Sequence, residues 1–499
     1  MQRSEAFKQP LVARLVMRNA LVQAAGRGAT VLLALGALMI LTRSLGVEGV
    51  GDYILVTSLL ALLNFSDMGL YMITVRELAA GDDEPEGLMG NVLLLRIGTA
   101  VASMALLLTV TVLLGYSSEV TAAVAVGSVS FLFIAVGSGS LGAVFLANLR
   151  MEYQVLAAVV QSIVFLSLVG VVVAFDKGLV ALILAYDAGA LANALVVIAF
   201  SRRFVVPRLS LNTGVCGRIM AASLPAGINS IAWILYTRVD MVMLSKMKDA
   251  EAVGLYGLAY RFVDLAWPLG FFMVGSVYPL ISQRYRSGDH QGLNRLLQRS
   301  TDVLSVLVIA LATVFIVFAE PIIRVVASGE FVPAASALRI LSLAIALMWI
   351  GILATNTLLA LGRQMALLWI GLAGLTLKVG LNLVLIPRFD YDGAAVATVA
   401  TEFVGAVVML SIIARHLGHM MSFQVAAKFV PVVLAASAVA QLLFADMVLA
   451  QAAIVLCGLL VGAALTRVIS VQDIRMLLAR RAPAEAGSLS WAGELESSN

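Results

Sequence analysis

The chain has 499 residues, of which 61% are hydrophobic and only 12% charged, and its formal net charge is a small +4. Soluble domains run near half apolar and a quarter charged, and a water-facing surface cannot hide this much apolar side chain. The solvent of this protein is therefore largely lipid, and neither a soluble enzyme nor a nucleic-acid partner is expected. The two cysteines, Cys216 and Cys457, lie in or beside apolar segments and form no disulfide framework or metal-ligand spacing, so each reads as an inert core residue.

In chain order, Phe7, Leu11 and Leu15 with Arg14 and Arg18 suggest a short amphipathic lead-in at the membrane surface. The first apolar run, 19–42, is long enough to span and lacks a convincing small-residue cleavage site, so it reads as a membrane helix rather than a signal peptide. A membrane helix needs about 20 mostly apolar residues, because lipid offers no partner to an open backbone group. Windows of that kind follow at 50–72, 89–114, 120–147, 153–174, 178–200, 217–240, 252–281, 300–320, 334–361, 365–386, 393–414, 425–445 and 448–467, giving fourteen spans. No loop is long, and the polar tail 468–499 reads as disordered and dispensable for the core activity.

Orientation follows from the basic residues of the short loops. Arg150, the Arg202–Arg203–Arg208 group, Arg284, Arg286, Arg363 and Arg415 share one side with the basic N-terminal segment and tail. The other side carries fewer, among them Arg43, Lys177, Lys246, Lys248, Arg324 and Arg388. The basic side is expected to be cytoplasmic, and the even number of spans puts both termini there.

Two repeats are visible. LTRSLGVEGVGDY (41–53) returns as LSKMKDAEAVGLY (244–256), with Gly51 over Gly254 and Tyr53 over Tyr256. Gly178 precedes Asp187, and Gly393 precedes Glu402, by the same nine residues. The first six spans thus look like relatives of the next six. Six helices per half start both halves on the same side, a parallel repeat with a cleft between the lobes, the usual layout for alternating access. The expected organisation is an N-terminal lobe at 1–210, a C-terminal lobe at 211–420, two extra helices at 421–467 and the tail at 468–499. The connector glycines Gly46, Gly49, Gly51 and Gly254 read as turn residues, and Tyr53 and Tyr256 as interface anchors.

Charges within spans are expensive, about 2.5–3.5 kcal/mol each on insertion scales, and generally face a cavity or a partner. Arg27, among Ala24, Ala25, Gly26 and Gly28, reads either as an anion-binding arginine or as a side chain reaching back to the interface. Arg261 and Asp264 have the i, i+3 spacing of a pair on one helix face, and Pro268 beyond them is placed to kink the helix and open a cavity. Lys378 is the deepest base and is expected either to face the lumen or to pair structurally. Asp187 and Glu402, at equivalent places, suggest a shared structural role, with proton coupling as the other reading; Asp67, just before Gly69, is a kink-stabilising or functional acid. A central site lined by Arg27, Arg261 and Lys378 would suit a phosphate or pyrophosphate group.

No catalytic constellation or phosphate-cradling GxxxxGK[ST] motif occurs, and His416 and His419 lack a third metal ligand nearby. The GSGS run at 137–140 and LGRQ at 361–364 read as packing and turn residues.

SDMGLYMITVRELA (66–79), LPAGINSIAWILYTRVDMVMLS (224–245) and EAVGLYGLAYRFVD (251–264), together with the doubled connector, resemble the polysaccharide transporter branch of the multidrug/oligosaccharidyl-lipid/polysaccharide exporter superfamily, which includes the O-antigen and exopolysaccharide repeat-unit flippases. The resemblance implies an all-α, two-lobed transporter of the bacterial inner membrane. It would move undecaprenyl-pyrophosphate-linked oligosaccharide between leaflets through a cationic cavity. It carries Arg27 and Arg261 over as cavity bases, and Lys378 more weakly. It implies no cofactor and leaves H+ or Na+ coupling open. Its expected partners are the lipid-linked substrate, the bilayer and, in its pathway, a polymerase and a chain-length regulator, with the protein itself a monomer. The competing expectations are a cation-coupled multidrug exporter of the same fold, which needs an anionic or aromatic cavity, and a polytopic glycosyltransferase or polymerase, which needs a long external loop absent here.

Overall fold

The computed structural model describes residues 2–67, 69–81, 83–444 and 447–466, with the side chains of 2–17, Ala20 and Asn229 left aside. The tail 468–499 and the side chains of the amphipathic lead-in lie outside the described residues. The lead-in backbone is continuous with the first span in α1 (Gln2–Ser44), so no separate surface helix precedes it. There follow α2 (Gly46–Ala80), α3 (Pro85–Leu113), α4 (Ser118–Ala147), α5 (Glu152–Ala174), α6 (Leu179–Ser201), α7 (Thr213–Met247), α8 (Ala250–Arg286), α9 (His290–Val317) and α10 (Ala334–Ala360). A helical stretch, Gln364–Leu417, contains two limbs, because Asp390 breaks it at φ 56°, ψ −139°. The limbs fold back on each other: a Cβ on Gly393 would overlap the Leu385 carbonyl, which a straight helix would hold two turns away. They are α11 (364–389) and α12 (391–417). With α13 (Gln424–Leu443) and α14 (Val448–Thr466), fourteen apolar helices among the described residues match the fourteen windows, and the chain is a multi-pass membrane protein.

The connections are short and capped. Asn212 accepts from the amides of Gly214 and Val215, Ser117 from Val120, Asp249 from Ala252 and Asp289 from Gly292, each satisfying donors that a helix start leaves open. Outward-facing leucines such as Leu113, Leu195 and Leu449 match a lipid surround. Within the N-terminal lobe α5 packs between α1 and α6; within the C-terminal lobe α10 packs against α8, α9 and the α11–α12 pair. The α13–α14 pair docks on α9 through Val306, Phe429 and Val433 and through Val317, Ala440 and Val455. The GSGS run is a packing device: Gly137 lies against Ala194 of α6 and Gly139 against the Arg96 guanidinium.

The two copies of the connector touch. A Cβ on Gly51 would overlap the Ala250 carbonyl, and a Cβ on Gly254 would overlap that of Val47, its counterpart across the repeat. Residue and partner exchange roles, as at a two-fold axis, so α2 and α8 cross where the halves are related. This corrects the reading of these glycines as turn residues. Only Gly46 takes a positive φ, of 67°; Gly51 and Gly254 lie inside helices and are small because backbones meet there. The tyrosines are likewise not interface anchors. Tyr256 is fully buried and donates to Asp240, and Tyr53 is 6% exposed, because the crossing draws both inward.

Around this crossing the lobes are sealed at the face opposite the basic loops. Thr42 donates to the Val326 carbonyl at 3.1 Å and Arg43 to that of Val325 at 3.0 Å. Tyr116, in the α3–α4 turn, meets the Ser245 hydroxyl at 2.9 Å while the Lys246 ammonium lies 3.4 Å from its ring centre. Burial pushes the Tyr116 phenol above its usual range, so it stays a neutral hydroxyl in this seal. Overpacking a tight contact costs about 1–3 kcal/mol. Gly51→Val is therefore expected to shift the protein toward an open far face by about tenfold, at about 1.4 kcal/mol per factor of ten. With Cys216 and Cys457 replaced by serine, a cysteine at Ser245 should react correspondingly faster with an impermeant maleimide in Gly51→Val. Equal labelling rates would refute the role of the glycine crossing in this seal.

Candidate functional site

Two confluent hollows lie between the lobes on the basic side of the glycine crossing. One, of about 280 Å³, is lined by Arg27 and Leu38 of α1, Gln161 and Phe165 of α5, Tyr186 of α6 and Arg261 of α8. The other, of about 200 Å³, is lined by Thr57 of α2, Arg238 of α7 and Tyr260 of α8. Tyr53, Tyr186, Arg261 and Asp264 line both, so the two form one site. Both lobes contribute walls, as expected where two repeats face each other.

Three arginines and one carboxylate set the charge of this cavity. Asp264 pairs with Arg238 at 3.5 Å, not with Arg261 as the i, i+3 spacing suggested. The helix surface brings positions 261 and 264 near each other, but the Arg238 side chain of α7 reaches the carboxylate instead. Arg238 also lies 5.9 Å from the Tyr260 ring centre. Among the described residues Arg261 makes one long hydrogen bond, 3.4 Å to the Thr57 hydroxyl across the lobe boundary, which leaves most of its donors toward the cavity. Arg27 is solvent-accessible at the cavity edge, on a helix face crowded only at Gly26, where Val155 of α5 packs. A guanidinium presents five donors in a fixed fork that matches phosphate oxygens, so two or three in one half-enclosed space have the chemistry an anion would need.

Arg238 was missed as a cavity residue because the apolar window ends at residue 240, which placed it near a helix end. The helix continues to Met247, so Arg238 lies well inside. The available signal was the pair Arg238 and Asp240 in TRVD, two charges within one turn.

Lys378 is placed elsewhere, which corrects its assignment as a cavity base and leaves the structural pair of its two readings. It is fully buried between α7 and α11, with its ammonium 2.7 Å from Asp240 Oδ2 and 3.0 Å from the Tyr236 carbonyl. Asp240 also accepts from Asn382 at 2.7 Å, Tyr256 at 3.0 Å and Thr398 at 3.0 Å. A charge with this many partners is held, not offered to a ligand.

The remaining acids divide. Asp67 pairs with Arg96 at the point where α2 tightens over Leu63–Asp67 and restarts after Gly69, whose φ is 74°. Of the two readings of Asp67, the kink-stabilising bond is the one with a visible partner. Asp187 and Glu402 do not share an environment. Asp187 is 7% exposed, with one oxygen lacking a hydrogen-bond partner among the described residues. Glu402 accepts from the Tyr236 hydroxyl at 2.8 Å and lines a separate cavity inside the C-terminal lobe. Among the described residues no group of three metal-ligating side chains forms. Pro268 sits within α8, which continues past it as one helix, next to Trp267 and Phe271 of the C-lobe cavity.

Known proteins give this geometry a context. The solved structure of the lipid II flippase MurJ in an inward closed conformation superposes with a TM-score of 0.75 at 15% identity, over 93% of this chain and 100% of that one. An inward-facing multidrug resistance MATE family transporter of the MOP superfamily gives 0.65 at 16% identity, over 80% and 98%. At those identities the likeness is one of fold. A probable low-salt glycan biosynthesis flippase, Agl15, of Haloferax volcanii is 25% identical over 36% of this chain and 38% of its own length. An uncharacterized membrane protein, MJ1068, of Methanocaldococcus jannaschii is 23% identical over 36% of each chain. The match thus spans less than two fifths of these curated relatives. The MatE family model matches residues 225–384. The model described as polysaccharide biosynthesis protein matches residues 16–285, more than half the chain and every arginine of the interlobe cavity, and the chain belongs to that family.

Proposed function

We propose that this protein is a flippase that carries a polyprenyl-pyrophosphate-linked oligosaccharide across the membrane by alternating access, for surface polysaccharide assembly. The observation that carries this reading is the interlobe cavity, where Arg27, Arg238 and Arg261 face a single carboxylate, Asp264. Such a cavity is net cationic and enclosed on the side away from the basic loops, so it suits a pyrophosphate entering from the basic side. Membership of the polysaccharide biosynthesis family and the glycan flippase among the relatives support the same substrate class. On this reading the basic loops and both termini are cytoplasmic, the membrane is the bacterial inner membrane, and undecaprenyl is the lipid. A polymerase and a chain-length regulator would act on the product, and the flippase itself works as a monomer. Any coupling to H+ or Na+ would use carboxyls such as Asp187.

Export of organic cations is the second reading, since aromatic rings and a carboxylate, Glu402, share a cavity in the C-terminal lobe, although Tyr236 already engages that carboxylate. The two are separated in proteoliposomes. A flippase brings a fluorescently tagged undecaprenyl-pyrophosphoryl sugar to the leaflet where a membrane-impermeant quencher reaches it. Quenching no faster than in protein-free vesicles, together with transport of tetraphenylphosphonium, would reverse the assignment.

A further inference from the structure

The C-terminal lobe holds a cavity of about 300 Å³ that the arginine site does not use, bounded by α7, α8, α10, α11 and α12. One side is a continuous surface of aromatic rings. Trp233 stacks on Tyr236 at 6.0 Å and 24°, Trp267 on Phe271 at 5.4 Å and 20°, and Trp233 meets Trp267 at 6.1 Å, joining the pairs across α7 and α8. Trp233 is 47% and Phe271 48% exposed, so the ring faces are open rather than consumed in the core. Polar groups are set among them. Glu402 uses one oxygen to accept from Tyr236, and Asn356 commits its amide nitrogen to the Ile352 carbonyl. Glu402 keeps its second carboxylate oxygen, and Asn356 its single amide oxygen, outside those bonds, each able to accept from a hydroxyl.

We propose that this cavity is a sugar subsite of the same transport path, in which the aromatic faces take the apolar face of a hexose ring and Glu402 and Asn356 accept from its hydroxyls. The inference rests on the flippase reading and adds where the glycan lies. Trp267 follows Arg261 by six residues on α8, a rise of about 9 Å, toward the basic face. The ring surface thus lies on the basic side of Arg261 and on another face of α8, since six residues also turn the helix by about 240° beyond a full turn. Flat amphipathic rings with a few fixed acceptors suit a ligand that is apolar on its faces and polar at its edge. A prenyl chain has no use for the carboxylate. An organic cation would find the one carboxylate already engaged by Tyr236, with the Lys378 ammonium 4.6 Å from that same ring.

The test compares two probes in nanodiscs, undecaprenyl pyrophosphate and undecaprenyl-pyrophosphoryl N-acetylglucosamine, on the full chain. The wild type should bind the glycosylated lipid several-fold more tightly. Trp233→Leu and Phe271→Leu keep apolar bulk but remove the flat face, and should abolish that preference while leaving affinity for the bare lipid within twofold. Trp233→Phe should restore much of it, which a folding defect would not allow. Arg261→Ala should weaken both lipids. Equal loss for both probes in the leucine variants would overturn the sugar assignment in favour of the prenyl chain. Displacement of the glycosylated lipid by tetraphenylphosphonium from wild type but not from Trp233→Leu would overturn it in favour of a cation. No difference between the probes in the wild type would also overturn it, with the flippase reading intact. Failure of the wild type to bind either lipid would instead remove the flippase reading and the subsite with it.

Discussion

Arg261→Ala should abolish transport of the lipid-linked oligosaccharide while leaving the protein in the membrane at wild-type level. Arg261 meets one weak internal partner, Thr57 at 3.4 Å, so its removal strands no buried charge and costs little stability. A hydrogen bond to a charged group contributes about 1.5–3 kcal/mol, which at about 1.4 kcal/mol per factor of ten is a loss of ~10- to 100-fold in pyrophosphate affinity. Arg261→Lys should fall between, because an ammonium is a point charge without the planar fork. Arg27→Ala should act in the same direction and more weakly, since Arg27 lies at the solvent-accessible edge of the cavity. The measurement is undecaprenyl pyrophosphate affinity in nanodiscs together with surface glycan in a strain carrying each variant. Wild-type affinity and export at equal protein level would sink the cationic-site assignment.

Lys378→Ala should fail in a different way, by unfolding. Lys378 and Asp240 are 0% and 1% exposed, and breaking one side of such a pair costs about 3–5 kcal/mol because the other charge stays buried and uncompensated. The detergent-solubilised protein should lose thermal stability and much of its expression. Lys378→Met combined with Asp240→Asn removes both charges and should recover most of that stability. If Lys378 were a substrate ligand, the single variant would keep its melting temperature and lose affinity for the pyrophosphate. That outcome would move Lys378 back to the cavity. The two arginine and lysine experiments thus separate a binding base from a structural one by which quantity changes.

The fourteen spans were legible because each is a run of apolar residues long enough to cross lipid, and the loops between them are too short to obscure the count. The long stretch Gln364–Leu417 shows the strength of that signal: the backbone leaves helical geometry at Asp390 alone, and two apolar windows fall on either side of it. The connector repeat was legible too, but its meaning was not. Gly51 and Gly254 looked like turn formers, and only the crossing of α2 and α8 shows that they are small to let two backbones touch. The C-lobe cavity is not legible in the sequence for a related reason. Trp233, Tyr236, Trp267 and Phe271 are ordinary apolar residues within two spans, and their union into one surface depends on how α7 and α8 are rotated about their axes.

Composition and the lengths of the apolar runs by themselves determined that this is a helical, multi-pass membrane protein with a few costly charges inside the spans, and the doubled connector that it has two related halves. Lipid enforces this directly, since every backbone group must be bonded within its own helix and each span therefore declares its length. Only the tertiary structure decided which charge serves which purpose. Successive residues point about 100° apart around a helix, so the partner of a buried side chain is chosen by helix rotation and crossing. That choice gave Lys378 to Asp240, Asp264 to Arg238 and Asp67 to Arg96, and left Arg27 and Arg261 facing the cleft between the lobes.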